Sequence, residues 1–273
     1  MRRALVLGGG GVAGIGWEAG LATGLLEKGI DLGEADLVVG TSAGSVVGTM
    51  IRQRADLREL VSQVAEAEAG AAPMKVDMEK AMQAFMFMFD AAADPAESRR
   101  KVGELAMQVT GDGSRLTMIA DRLPSHEWPD APLMVTAVDA LDGSLRVWQA
   151  GSGVPLPLAV ASSCCVPCVF PPVEIDGRPY IDGGVHSISN ADLAAGHDRV
   201  VVIEPLAHLT PRSVLRAELE RLGGARTVAF GPDQPAVEAF GTDVLNPGLW
   251  LPAFEAGLRQ APEVADQVAE VWK

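Results

Sequence analysis

Twice within its first 52 residues the chain passes from a short apolar run through a glycine turn into a helical pattern. Residues 4–7 read as a buried strand, Gly8-Gly9-Gly10-Gly11 as the turn and residues 15–27 as the helix. Residues 36–39 read as the next strand, Gly40-Thr41-Ser42-Ala43-Gly44 as its turn and residues 45–52 as its helix. Strands that are continuously apolar and alternate with helices belong to a parallel sheet covered on both faces. Both glycine turns then open at the carboxyl edge of that sheet, where open α/β folds bind their ligands.

The second turn fits G-x-S-x-G between a strand and a helix. Such a turn strains the serine backbone and pushes Oγ outward, while Gly40 and Gly44 let neighbouring backbone pass without a Cβ clash. The helix behind Ser42 adds positive partial charge, which favours a developing anion. Ser42 is therefore the candidate nucleophile. The pentapeptide alone also fits a plain strand–helix turn in which the serine caps the helix.

The first turn has two readings. Gly9, Gly11 and Gly14 match G-x-G-x-x-G, a dinucleotide loop with pyrophosphate at the helix N-terminus. The same amides could instead form an oxyanion hole for acyl transfer. A dinucleotide loop wants a carboxylate at the tip of the second strand to hold the ribose. That tip is Gly40-Thr41-Ser42, and Asp36 stands at the other end of the strand. The position offers a nucleophile turn instead, which favours the oxyanion hole with Gly9, Gly10 and Gly11 as donors.

Serine needs a base. The four histidines, His126, His186, His197 and His208, sit in no recognisable motif. Asp182 followed by His208 has the order of an α/β-hydrolase triad, but that fold places its serine far into the chain. In Tyr180-Ile181-Asp182-Gly183-Gly184 the aspartate leaves a short apolar strand and meets two glycines, so backbone can approach its carboxylate. Asp-Gly pairs at Asp142 and Asp176 read as ordinary turns.

The rest of the chain supplies context. Residues 54–125 are rich in Ala, Glu, Met and Arg and read as a helical insertion, forming a cap on a single domain spanning 1–273. Residues 82–89 carry Met or Phe at almost every position, which suits either a packed core helix or a lipid-facing cap. Strands are expected at 133–138 and 145–149, paired across Asp142-Gly143, and at 173–181, 199–203 and 227–230. Helices are expected at 155–166, 212–222 and 254–272.

A formal charge of −14, from 22 basic and 36 acidic residues, argues against nucleic acid and against electrostatic docking on anionic lipid. Any membrane contact would be apolar and peripheral, since no run of 18 apolar residues exists. Cys164, Cys165 and Cys168 form one short cluster and no disulfide framework. Their C-x-x-C spacing lacks a second pair of ligands, so they read as small buried residues, and a reduced cytoplasmic protein is expected.

Gly9-Gly10-Gly11-Val12-Ala13-Gly14, Gly40-Thr41-Ser42-Ala43-Gly44 and Asp182-Gly183-Gly184, in that order, resemble the patatin-like phospholipase family. Residues 159–173, with Phe170-Pro171-Pro172, resemble that family's helix and loop before the aspartate, and the resemblance covers residues 4–205. It implies a three-layer α/β/α fold with a mainly parallel central sheet and hydrolysis of lipid acyl esters by a Ser42–Asp182 dyad without histidine. It also implies an oxyanion hole at Gly9, Gly10 and Gly11, support from Gly14, Gly40, Gly44, Gly183 and Gly184, and no metal or cofactor. Ala13 stands where the family usually carries Arg or Lys. Asn190 comes later after the Asp-Gly-Gly turn than the family's asparagine, which lengthens the loop 185–189. The competing functions are a non-hydrolytic nucleotide-binding protein and a catalytically weak scaffold of the same fold.

Overall fold

The computed structural model describes residues 1–72, 76–90, 92–111 and 113–273. Among these, eight strands form one sheet: β1 (Arg3–Leu7), β2 (Leu37–Thr41), β3 (Leu133–Asp139), β4 (Leu145–Trp148), β5 (Val173–Ile175), β6 (Arg178–Asp182), β7 (Arg199–Ile203) and β8 (Arg226–Phe230). The helices are α1 (Gly11–Glu27), α2 (Ala43–Arg52), α3 (Leu57–Ala67), α4 (Met78–Met88), α5 (Pro95–Ala106), α6 (Ser114–Asp121), α7 (Leu156–Ser163), α8 (Arg212–Glu220), α9 (Gln234–Phe240) and α10 (Trp250–Trp272). The expected insertion at 54–125 holds α3 to α6; its residues 73–75, 91 and 112 lie outside the described residues.

The sheet is mainly parallel. β3, β2, β1, β7 and β8 run the same way, and β4, β5 and β6 are the antiparallel additions. Leu5, Leu7, Val38, Val201 and Ile203 face a core shared with α1, α2 and α10. Ala4, Val6, Val39, Val200 and Val202 face a smaller core under α8. Two apolar faces explain why these strands read as unbroken hydrophobic runs, and the helices over each face make the three layers.

Register brings the two halves of the site together. Along one side of β3, Thr136 pairs with Thr41, the last residue of β2. The next residue on that side, Ala137, pairs with Asp182, the last residue of β6. The β4 hairpin occupies the opposite side over the same stretch. β2 and β6 therefore meet end to end, so Ser42 leaves one strand where Asp182 leaves the other. β6 is held there by a two-residue turn, Asp176-Gly177, both at positive φ (51° and 74°), the geometry a tight hairpin favours.

Several boundaries differ from expectation. α1 starts at Gly11 rather than 15, because Gly10 (φ −173°, ψ 6°) turns the chain directly into the helix. β2 continues to Thr41, and α9 was not expected at all. Asp233 caps α9 by accepting from the Ala236 amide at 2.9 Å. α10 starts at Trp250 and carries Pro262 inside it.

α1 buries a carboxyl group. Glu18 is fully buried, and neither oxygen has a hydrogen-bond partner of good geometry among the described residues. Burial pushes its pKa well above the ordinary range, and the nearby Gly8 amide, which donates to the Ile203 carbonyl at 2.9 Å, offsets this only in part. The folded-state pKa exceeds the unfolded one. Its contribution to stability is therefore complete below the unfolded pKa and is lost as pH rises towards the folded value. Glu18→Gln is expected to raise the melting temperature more at pH 8 than at pH 5. An equal change at both would show that Glu18 does not titrate with folding.

Candidate active site

Ser42 occupies a backbone conformation that L-residues rarely adopt, φ 51° and ψ −117°. The surroundings hold it there. Its amide donates to Ser163 Oγ at 2.9 Å, and its carbonyl accepts from the Ser45 amide at 2.9 Å and from Ser45 Oγ at 2.7 Å. Behind it, α2 lies almost against β1. The Gly44 amide donates to the Gly8 carbonyl at 3.0 Å, and a Cβ at Gly44 would sit 2.1 Å from the Leu7 carbonyl oxygen. Gly40 packs on Gly44, where a Cβ would sit 2.5 Å from the Gly44 carbonyl oxygen, and Gly14 packs on Ala43. The motif glycines thus press the two turns together, with the position of a Gly9 Cβ only 3.5 Å from Ser42 Cβ.

The glycine loop differs from expectation in one donor. The Gly9 amide donates to the Ile188 carbonyl at 2.9 Å and so has no hydrogen left for an oxyanion. Ile188 lies in the lengthened loop 185–189, which anchors the glycine turn through this bond. The amides of Gly10, Gly11 and Ala43 have no acceptor among the described residues. Gly11 has φ 61°, and a Cβ there would lie 2.8 Å from the Val244 carbonyl oxygen, so only glycine fits. Sequence reasoning missed Ala43. The signal was available, since a nucleophile turn places the next residue's amide at the head of its helix.

Asp182 is buried at 6% exposure. Its amide donates to the Cys165 carbonyl at 2.9 Å, and its Oδ1 accepts from the Gly184 amide at 2.7 Å. Burial raises its pKa to about 6, against the opposing effect of hydrogen bonding by the Ser42 hydroxyl and the Gly184 amide. Gly183 packs on Thr136, where a Cβ would meet the Thr136 hydroxyl at 2.2 Å.

Asn190 joins the Ser42 turn to the Asp182 turn. Its Nδ2 donates to Thr41 Oγ1 at 3.0 Å, to the Ser187 carbonyl at 2.6 Å and to the Gly183 carbonyl at 3.4 Å. Thr41 Oγ1 in turn meets Thr136 Oγ1 at 2.8 Å. One buried amide therefore spans the residue before Ser42 and the residue after Asp182. His186 Nδ1 lies 2.7 Å from Asn190 Oδ1, His197 Nδ1 lies 3.0 Å from the Ala194 carbonyl, and His126 meets the Asp121 carbonyl at 3.4 Å. No histidine lines either pocket that contains Ser42.

The cysteines are buried free thiols. Burial, reinforced by the Asp182 charge, pushes Cys164 up to about 12 and Cys165 higher still. They stay protonated and unreactive at neutral pH. Cys164 packs under the elbow, its Sγ 3.4 Å from the Ser42 carbonyl. Among the described residues no group of three or more His, Cys, Asp or Glu is placed to hold a metal ion.

Two pockets meet at Ser42. The larger, about 300 Å³, contains Gly10, Asp182 and Ile188 and is walled by Ala84, Phe85 and Met88 of α4 and its neighbour Phe89. The smaller, about 140 Å³, contains Ala43, Ile15, Phe170 and Trp250. Gly11 borders both. Most of α4 is not core: Ala84 is its one buried residue, and Met78, Met82 and Met86 are exposed at 67%, 58% and 63%. Ala13, standing where a cation was the usual residue, is fully buried and gives its amide to the Val244 carbonyl at 3.0 Å.

A family model described as Patatin-like phospholipase matches residues 5–195. Among solved structures the fold is similar to VipD from Legionella pneumophila, at 14% identity and a TM-score of 0.50, over 97% of this chain and 67% of that one. The type III effector protein ExoU aligns at 16% identity and a TM-score of 0.37, over 96% of this chain and 53% of that one. No curated protein matches the sequence.

Proposed function

The chain belongs to the patatin-like phospholipase family, and from that premise we propose that it is a lipid acyl hydrolase working through a Ser42–Asp182 dyad. Asp182 takes the proton from Ser42 Oγ as Oγ bonds to the ester carbonyl carbon. The amides of Gly10, Gly11 and Ala43 receive the oxyanion. The carbon–oxygen bond to the alcohol then breaks, and Asp182 returns its proton to the departing oxygen. Water attacks the acyl-enzyme as Asp182 accepts its proton, the bond from the acyl carbon to Ser42 Oγ breaks, and Asp182 passes that proton to Oγ, which restores the free serine and releases the carboxylic acid.

The observation that carries this reading is the pairing of a strained serine with a buried carboxylate whose pKa stands at about 6. At neutral pH such a group is mostly ionised yet basic enough to accept a proton. The expected result is that kcat/KM rises about tenfold per pH unit below pH 6 and levels off above it. A fluorophosphonate probe should label Ser42 with the same pH dependence. A limb near pH 7 to 8 that vanishes with His186→Ala or His208→Ala would replace the dyad with a triad.

We read the chain as one domain whose helices α3 to α6 form the cap. The walls of both pockets are mostly apolar, which suits an acyl ester, and among the described residues neither wall includes Lys or Arg. A pyrophosphate at the glycine loop would meet no cation among the described residues of those walls, which counts against nucleotide binding. With a net charge of −14, a neutral or zwitterionic ester is the better substrate. The exposed methionines of α4, beside the larger pocket, suit apolar, transient contact with a lipid surface.

A further inference from the structure

We infer that the two pockets divide an ester at its scissile bond, the smaller taking the acyl chain and the larger the alcohol portion. This assignment rests on hydrolysis at Ser42 with Asp182 as base. The attacked carbon has four neighbours: Ser42 Oγ, the oxyanion, the first acyl carbon and the alcohol oxygen. Asp182 must hand its proton to the alcohol oxygen, so that oxygen lies on the Asp182 side. Asp182 lines only the larger pocket. The oxyanion faces the unengaged amides of Gly10, Gly11 and Ala43. The acyl chain is left with the smaller pocket, which runs from Ser42 and Ala43 to the end of α3.

That pocket limits chain length. Its walls at Ile15, Ile119, Phe170 and Trp250 are apolar, but Glu68 also lines it. The Glu68 carboxylate accepts from Trp250 Nε1 at 2.8 Å and is paired with Arg122. Both oxygens are satisfied, so an acyl chain long enough to reach them would have to break a polar cluster in an apolar setting, which is costly. Among the described residues, the wall of the larger pocket holds no such ion-paired carboxylate. The larger pocket, about 300 Å³ against about 140 Å³, continues under α4. The favoured substrate class is an ester whose apolar bulk lies in its alcohol half.

Two exposed alanines on the wall of the smaller pocket, Ala67 and Ala71, allow a test with little risk to folding. Nitrophenyl acetate and octanoate vary the acyl arm; ethyl acetate and octyl acetate vary the alcohol arm. The wild-type protein should prefer octyl acetate to methyl octanoate. Ala67→Phe, and independently Ala71→Phe, should lower the octanoate-to-acetate ratio of kcat/KM by about tenfold or more and leave the octyl-to-ethyl ratio in place. Ala81→Phe, in the larger pocket, should do the reverse. Turnover with the ratios exchanged, or with neither ratio moved by the three variants, overturns the assignment while the hydrolase reading stands. No ester turnover, and no labelling of Ser42, overturns the hydrolase reading and the assignment with it.

Discussion

Ser42→Ala should lower kcat on every ester by about three orders of magnitude or more while leaving the protein folded. The substitution removes Oγ and nothing that the core depends on. The amide of residue 42 still donates to Ser163 and its carbonyl still accepts from Ser45, so the elbow keeps its anchors. Residual turnover would come from bound water attacking an ester whose carbonyl oxygen is held by the Gly10, Gly11 and Ala43 amides. The backbone at φ 51° is as unfavourable for alanine as for serine, so Ser42→Ala should leave the strain unchanged. Ser42→Gly removes that strain and should raise the melting temperature, in line with a cost on the order of 1 kcal/mol for such a conformation. Activity, probe labelling and melting temperature together separate the two effects. A Ser42→Ala protein retaining more than about a tenth of wild-type kcat would exclude Ser42 as nucleophile.

What the sequence revealed and what it hid follow one division. Strand–turn–helix order, the two glycine turns and the Asp-Gly-Gly turn are local patterns, and local patterns were legible. Which amide is free is a long-range fact. Gly9 loses its hydrogen to Ile188, a residue on the far side of the chain, while Gly10 and Gly11 keep theirs. Nothing in a run of four glycines distinguishes them. Asn190 was visible as a displaced asparagine, but its bond to Thr41 depends on the register of β2 and β6 against β3. The smaller pocket was invisible for the same reason, since α1, α3, α6 and α10 contribute its walls from four separate places. The α4 segment showed the limit of composition. A run of Met and Phe predicts an apolar helix but not whether it faces the sheet, the pocket or solvent.

Asp182→Asn should be nearly as damaging to kcat as Ser42→Ala and should make the protein more stable. The amide has a similar shape and its oxygen can still accept from Gly184, but it cannot take a proton from serine at neutral pH. The stability effect follows from the carboxylate's environment. Burial raises the Asp182 pKa from 3.8 to about 6, so folding favours the protonated form. A group with a raised folded-state pKa contributes fully below its unfolded pKa, and that contribution is lost as pH rises through about 6. Above that pH the ionised carboxylate costs the fold something on the order of 3 kcal/mol. Asparagine carries no charge to bury, so the melting temperature of Asp182→Asn should exceed that of wild type at pH 8 and converge with it near pH 4. In the proposed dyad the same desolvation would serve Asp182 as base, because a carboxylate left at its ordinary pKa would accept a serine proton far less readily. Lost activity with gained stability at high pH would place function and strain on one residue. Lost activity with an unchanged stability-versus-pH curve would show that Asp182 is ionised at ordinary cost, and the base would have to be sought elsewhere.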